Sequence, residues 1–228
     1  MINYKKYQLD NGLKVILHQD KSTPIAAINL AFDVGARDEN PDMTGLAHYF
    51  EHLMFSGSKN APDYDVQVQN AGGQNNAFTT NDYTNYYITL PKNNLELALW
   101  LESDRMFQLN LDKKSLEVQR QVVIEEFKQR YLNQPYGNNI AQLRKLTYKD
   151  HPYQWSTIGL EISHIEKVSL EDAKHFYQQF YAPNNCVLSI CGDIDYEETF
   201  VLVKKLSLPT LKIIIKVHHS CTYSTISS

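Results

Sequence analysis

The run His48-Tyr49-Phe50-Glu51-His52 gathers two imidazoles and a carboxylate within one turn and a half of any helix that contains it. His48 and His52, four apart, would stack on one face, and Glu51, three from His48, would flank it. Imidazole nitrogen is a ready zinc ligand, and a catalytic zinc keeps three protein ligands and one open position. The spacing therefore predicts a metal held by His48 and His52, with Glu51 free to move a proton and a third ligand supplied from elsewhere. Taken alone, so short a pattern also fits a helix with two surface histidines.

The elements around it must bring a distant side chain to this helix. Residues 7–9 and 13–17 flank Asp10-Asn11-Gly12 and read as a hairpin, since Asn-Gly is a strong two-residue turn signal. Residues 25–34 form an apolar strand. Thr44 is placed to cap the His48–His52 helix, which is expected to stop near Ser56-Gly57. A short helix is expected over 62–71, then two strands over 76–90 turning at Asn81-Asp82, rich in Thr, Tyr and Phe. Helical spacing covers 95–109, and a second helix opens at Asp112 and runs to about Arg130 through Leu116, Val122, Val123 and Phe127. Ser169 with Asp172 and Asp195 with Glu198 have capping spacing on either side of a buried-looking strand, 187–191. Strands and helices segregate instead of alternating strictly, which predicts an α+β fold: a mixed or antiparallel sheet with helices packed against it.

The run Thr44-Gly45-Leu46-Ala47-His48-Tyr49-Phe50-Glu51-His52-Leu53-Met54-Phe55-Ser56-Gly57 resembles the active-site helix of the pitrilysin-type metallopeptidases, the family of insulin-degrading enzyme and the mitochondrial processing peptidase. That family takes its third zinc ligand from a glutamate on a later helix, after a segment like Val122-Val123-Ile124-Glu125-Glu126. The resemblance implies Glu126, with the neighbouring Glu125 as the alternative. A family glutamate seven positions upstream of the ligand falls at Gln119 here, a departure from the pattern. Residues 71–87 resemble the family's Gly-rich turn and edge strand, which pairs with an extended substrate. By that resemblance Asn76 would hydrogen-bond the substrate backbone, Ala77 would offer its main chain, and Phe78 would line a pocket beside the scissile bond. Residues 101–106, His151-Pro152-Tyr153 and Ile158-Gly159 also resemble family segments and are assigned to scaffold or site lining.

The resemblance covers about residues 5–206 and implies a zinc (Zn2+) endopeptidase unit acting on oligopeptides or unfolded segments. Its working form would have a second homologous unit, in the same chain or as a partner subunit. Residues 1–206 are expected to form the catalytic N-terminal unit. Residues 207–228, including His218-His219, read as an atypical tail, with the second unit absent from the sequence. The competing expectation is a non-catalytic subunit that binds peptides or assembles with a partner; a structural zinc protein fits less well, because a closed site needs four ligands and no cysteine lies near.

Composition agrees with a globular protein. The 228 residues are 43% hydrophobic and 21% charged, enough apolar mass for a core. A net charge of −4 without basic blocks argues against nucleic acid. Apolar runs are too short to span a bilayer, and residues 1–20 lack the apolar core of a secretory signal, so the expected setting is cytoplasmic. Cys186, Cys191 and Cys221 read as reduced thiols filling the core, the first two pointing to opposite faces of one strand. His18, His164 and His175 read as structural histidines.

Overall fold

The computed structural model describes residues 2–206. The tail 207–228, with Cys221 and His218-His219, lies outside the described residues. The strands are β1 (Lys5–Gln8), β2 (Lys14–Gln19) and β3 (Ile25–Phe32), followed by helices α1 (Leu46–Leu53) and α2 (Tyr64–Asn70). The hairpin β4 (Gln74–Thr79) and β5 (Thr84–Pro91) comes next, then α3 (Leu95–Gln108) and α4 (Lys113–Phe127). A single π turn, Lys128–Leu132, prolongs α4. The described residues continue through α5 (Asn139–Thr147), α6 (Ile162–Lys167), α7 (Leu170–Phe180), β6 (Cys186–Gly192) and α8 (Tyr196–Leu206).

Among the described residues, six strands join one mixed sheet in the order β1-β2-β6-β3-β5-β4. Only β2 and β6 run parallel; the other neighbours are antiparallel, so the expected α+β class holds. Alternation sets the faces. Ala26, Ile28, Leu30 and Phe32 of β3 are buried, with Leu188 and Ile190 of β6 and Tyr86, Ile88 and Leu90 of β5, while the residues between them are mostly half-buried. Helices pack on the buried side: Tyr49, Phe50 and Leu53 of α1, Ala98 and Leu101 of α3, and Phe176 and Phe180 of α7 join the same core. Phe50 packs at a tilt against Phe176 and Tyr181, at 5.0 and 5.3 Å between ring centroids.

A buried ion pair within α3 lies against a ring of the sheet. The Arg105 guanidinium donates through Nε and Nη2 to the Glu102 carboxylate at 2.7 Å and lies 4.7 Å from the rings of both Tyr64 and Tyr86. Tyr64 Oη donates to the same carboxylate at 2.8 Å, while Arg105 Nη1 is buried without a hydrogen-bond partner and the guanidinium is faced by the aromatic rings instead. Residues 101–106 are thus scaffold.

Two expectations are corrected. Thr44 does not cap α1. Gly45 occupies the cap position with φ +90°, and a Cβ there would meet the Ile158 carbonyl oxygen at 2.6 Å, so only glycine fits. The Thr44 hydroxyl instead bonds His164 Nδ1 at 2.8 Å and accepts from the Leu160 N–H at 2.9 Å. Second, Cys186 is core but Cys191 is exposed, on the opposite side of the strand, so only one of the two fills the core. His18 and His164 have hydrogen-bond partners as expected, whereas His175 is exposed on α7.

Candidate metal centre

The first turn of α1 is held from outside. Glu39, buried before the helix, accepts from the Gly45 N–H through Oε2 and from the Ala47 N–H through Oε1, both at 2.8 Å. These are donors that the helix cannot satisfy itself. Burial pushes the Glu39 carboxyl up to about 8, against the lowering effect of the two amides. On the next turn the Tyr49 hydroxyl donates to the Leu116 carbonyl of α4. Arg120 then ties α4 to the C-terminal end of α6, donating to the Glu166 carbonyl at 2.9 Å and to Val168 at 2.7 Å. Helix α1 is therefore fixed at its start by Glu39 and along its length by α4.

This clamp brings His48 and His52 to Glu126. The Glu126 Oε2 atom lies 3.5 Å from His48 Nε2 and 3.4 Å from His52 Nε2, and the ligand atoms of all three residues lie within 4.8 Å of one another. Those separations exceed a good N–H···O bond, whose range is about 2.7–3.2 Å. They match the edge of a tetrahedron around one ion with bonds of about 2.0–2.2 Å, roughly 3.3–3.6 Å. The donor set of two imidazole nitrogens and one carboxylate oxygen fits zinc. Burial pushes the His48 imidazole below its ordinary value, opposed by the nearby Glu126 charge, which keeps the ring neutral and its lone pair available. The other Glu126 oxygen pairs with Arg130 at 2.6 Å, an i,i+4 contact from the π turn. Glu125 points elsewhere: it is mostly exposed and pairs with Lys128 at 2.6 Å. Gln119 sits half-buried on the same helix.

Glu51 is half-buried beside the triad, and burial raises its carboxyl above the ordinary value against the pull of Thr79 and His52. The Thr79 hydroxyl donates to Glu51 Oε2 at 2.5 Å. Thr79 ends β4, which is an edge of the sheet. Alternation therefore places Ala77 on the Glu51 side, and Asn76 and Phe78 on the other. The Ala77 N–H donates to Asn76 Oδ1 at 2.9 Å. Phe78, 41% exposed, meets Tyr83 edge-on at 5.8 Å.

Sequence patterns alone missed three of these groups. Arg130 was reachable from its i,i+4 relation to Glu126. Thr79 was reachable from its place on the strand face that Ala77 shares. Glu39 carries no local signal, because its contacts with Gly45 and Ala47 cross a loop.

Comparison with known proteins decides the family. Residues 14–161 match the family described as Insulinase (Peptidase family M16). The chain belongs to that family. Residues 167–207 of this M16 chain match the description Peptidase M16 inactive domain. A zinc protease of Helicobacter pylori, PqqE, is 34% identical over 205 residues, 89% of this chain and 46% of that protein. The beta subunit of the Saccharomyces cerevisiae mitochondrial-processing peptidase is 28% identical over 201 residues, 87% of this chain and 43% of its own length. A crystal structure of a protease from Helicobacter pylori superposes with TM-score 0.87 at 34% identity, covering 92% of this chain and 52% of the other. Pitrilysin superposes with TM-score 0.79 at 26% identity, covering 90% and 22%. The M16 chain thus spans about half the length of the curated relatives it matches. No helix among the described residues is long and apolar enough to cross a membrane.

Proposed function

We propose that this M16 chain is the catalytic unit of a zinc endopeptidase that hydrolyses oligopeptides or unfolded polypeptide segments, working with a second homologous unit. The observation that carries the reading is the meeting of His48 and His52 from one helix with Glu126 from another, beside the Glu51 carboxylate and the edge strand β4.

Zinc held by His48, His52 and Glu126 would polarise a peptide carbonyl and make water a stronger nucleophile. The remaining work falls to the chain. Glu51 takes a proton from the attacking water and passes it to the leaving nitrogen. A carboxylate raised by burial binds that proton more readily than an exposed one, which suits a group that must hold it briefly. An extended peptide adds to β4 as a further strand, its main chain recognised by the main chain of Ala77. Asn76 hydrogen-bonds the peptide backbone, releasing the Ala77 amide, and Phe78 offers an apolar surface to a substrate side chain. Main-chain pairing reads extension more than sequence, which favours unfolded segments.

The half-length match favours a second reading for the chain by itself: residues 1–206 as a unit that binds peptide and zinc but turns over only when its second unit closes the site. One assay tests whether turnover needs the second unit. A fluorogenic peptide is offered to the zinc-loaded chain, alone and with a homologous second unit, with and without chelator. Chelator-sensitive cleavage is expected in the paired sample, and Glu51→Gln should keep its zinc and lose about 100-fold or more in rate. Equal cleavage by Glu51→Gln removes that carboxylate from the reaction.

A further inference from the structure

Glu51 is fixed by one contact. Its Oε2 accepts the Thr79 hydroxyl at 2.5 Å. The donor is unusual in its position: Thr79 is the last residue of β4, paired with Thr84 across the hairpin, and it belongs to the strand edge that the proposed function assigns to the peptide. The strand's alternation turns Asn75, Ala77 and Thr79 to the half-buried side and Gln74, Asn76 and Phe78 outward. The same strand thus presents main chain to a substrate and a side-chain donor to the carboxylate two residues further on. Helix α1 fixes the backbone of Glu51 through Glu39 and Tyr49, but a glutamate side chain keeps three rotatable bonds beyond that backbone. The Thr79 hydroxyl is the hydrogen-bond donor that meets the end of that side chain.

We propose that Thr79 is a positioning residue: its hydroxyl pins Glu51 Oε2, leaves Oε1 to exchange the proton, and thereby sets the base in register with a peptide paired along β4. This deepens the functional reading above and rests on it. A purely structural role for the threonine is the alternative, in which its methyl packs the end of the hairpin and its hydroxyl merely finds an acceptor. Valine keeps the branched shape and removes the donor, while serine keeps the donor and removes the methyl, so the pair separates the two roles.

Two measurements test it on the zinc-loaded chain. In the first, Thr79→Val and Thr79→Ser are assayed for peptide cleavage with a second homologous unit present. A base misplaced by about 1 Å predicts a loss of roughly 10- to 100-fold in kcat for Thr79→Val, with KM changed less than about threefold. Thr79→Ser should stay within about threefold of wild type in both. In the second, crystal structures of the two variants are compared with wild type, where the Glu51 side chain should leave its position in Thr79→Val, keep it in Thr79→Ser, and zinc content should be equal in all three. An unmoved Glu51 in Thr79→Val, an unchanged kcat, or a serine variant as impaired as valine overturns the proposal. If wild type itself cleaves nothing, the enzymatic reading fails, whereas the crystal structures still decide whether Thr79 holds Glu51.

Discussion

Strands β1 and β4 are the two edges of one sheet, yet they are built on different chemistry. β1 is four residues long and opens with Lys5 and Lys6. Lys5 pairs with Glu197 at 3.1 Å and lies 4.7 Å from the Tyr196 ring; Lys6 lies 5.2 Å from the Tyr4 ring. Short, lysine-bearing edges are the common protection against another chain adding to the sheet. β4 is six residues long, reads Gln-Asn-Asn-Ala-Phe-Thr, and carries no charge. Its Ala77 amide is covered only by the neighbouring Asn76 side chain. The edge without lysines is the one whose last residue touches Glu51, so the edge protected by charge lies at the far side of the sheet and the uncharged edge lies beside the proposed site.

The strongest way to break this contrast is a proline on each edge. Ala77→Pro removes the β4 donor and should lower peptide cleavage by about 100-fold, a size expected when substrate is misaligned at the reacting centre. Lys6→Pro on β1 should leave cleavage by the paired enzyme unchanged, and thermal unfolding of both variants checks that the sheet survives. Equal damage from the two prolines would mean that the edges do not differ in function.

A smaller effect separates the edge from the helix it serves. Glu39→Gln keeps one acceptor for Gly45 and Ala47 but turns a donor toward the other N–H, so it should cost about 1–3 kcal/mol in denaturant unfolding. The cost should depend on pH. The wild-type carboxyl titrates near 8 when folded and near 4.3 when unfolded, so between those values the folded state holds the extra proton. Wild-type stability then falls as pH rises through that window, whereas Glu39→Gln has no proton to lose there, so the variant gains on wild type from about pH 5 to about pH 8. A variant that loses ground instead would mean that the amide donors outweigh burial at Glu39.

Much of the site was legible in the sequence because it is written in local spacing. His48, Glu51 and His52 fall on α1 at helical intervals, and Asn-Gly, Asp112 and Ser169 marked a hairpin and two helix starts that the structure contains. The choice between Glu125 and Glu126 shows where periodicity alone gave out. Val122 reads as part of the apolar stripe of α4, but Val118 and Val122 are 52% and 45% exposed, and Glu125 shares their side. The buried stripe runs through Leu116, Val123 and Phe127, with Glu126 next to it. Apolar residues on both sides of one helix leave its phase ambiguous, and only packing against α1 resolves it. Glu39 and Thr79 were hidden for a different reason: each acts across a gap in sequence, on a helix terminus and on a carboxylate that no short motif connects to it. Thr44 misled for the converse reason, since a good local cap was taken by His164 and Leu160 instead.

The central claim is that His48, His52 and Glu126 share one zinc ion. Zinc content after dialysis against limiting chelator, measured side by side for wild type, Glu125→Gln and Glu126→Gln, tests it most directly. One zinc per chain is expected in wild type and Glu125→Gln, with Glu126→Gln losing most of its metal. Retention by Glu126→Gln, or equal loss from both variants, would contradict it.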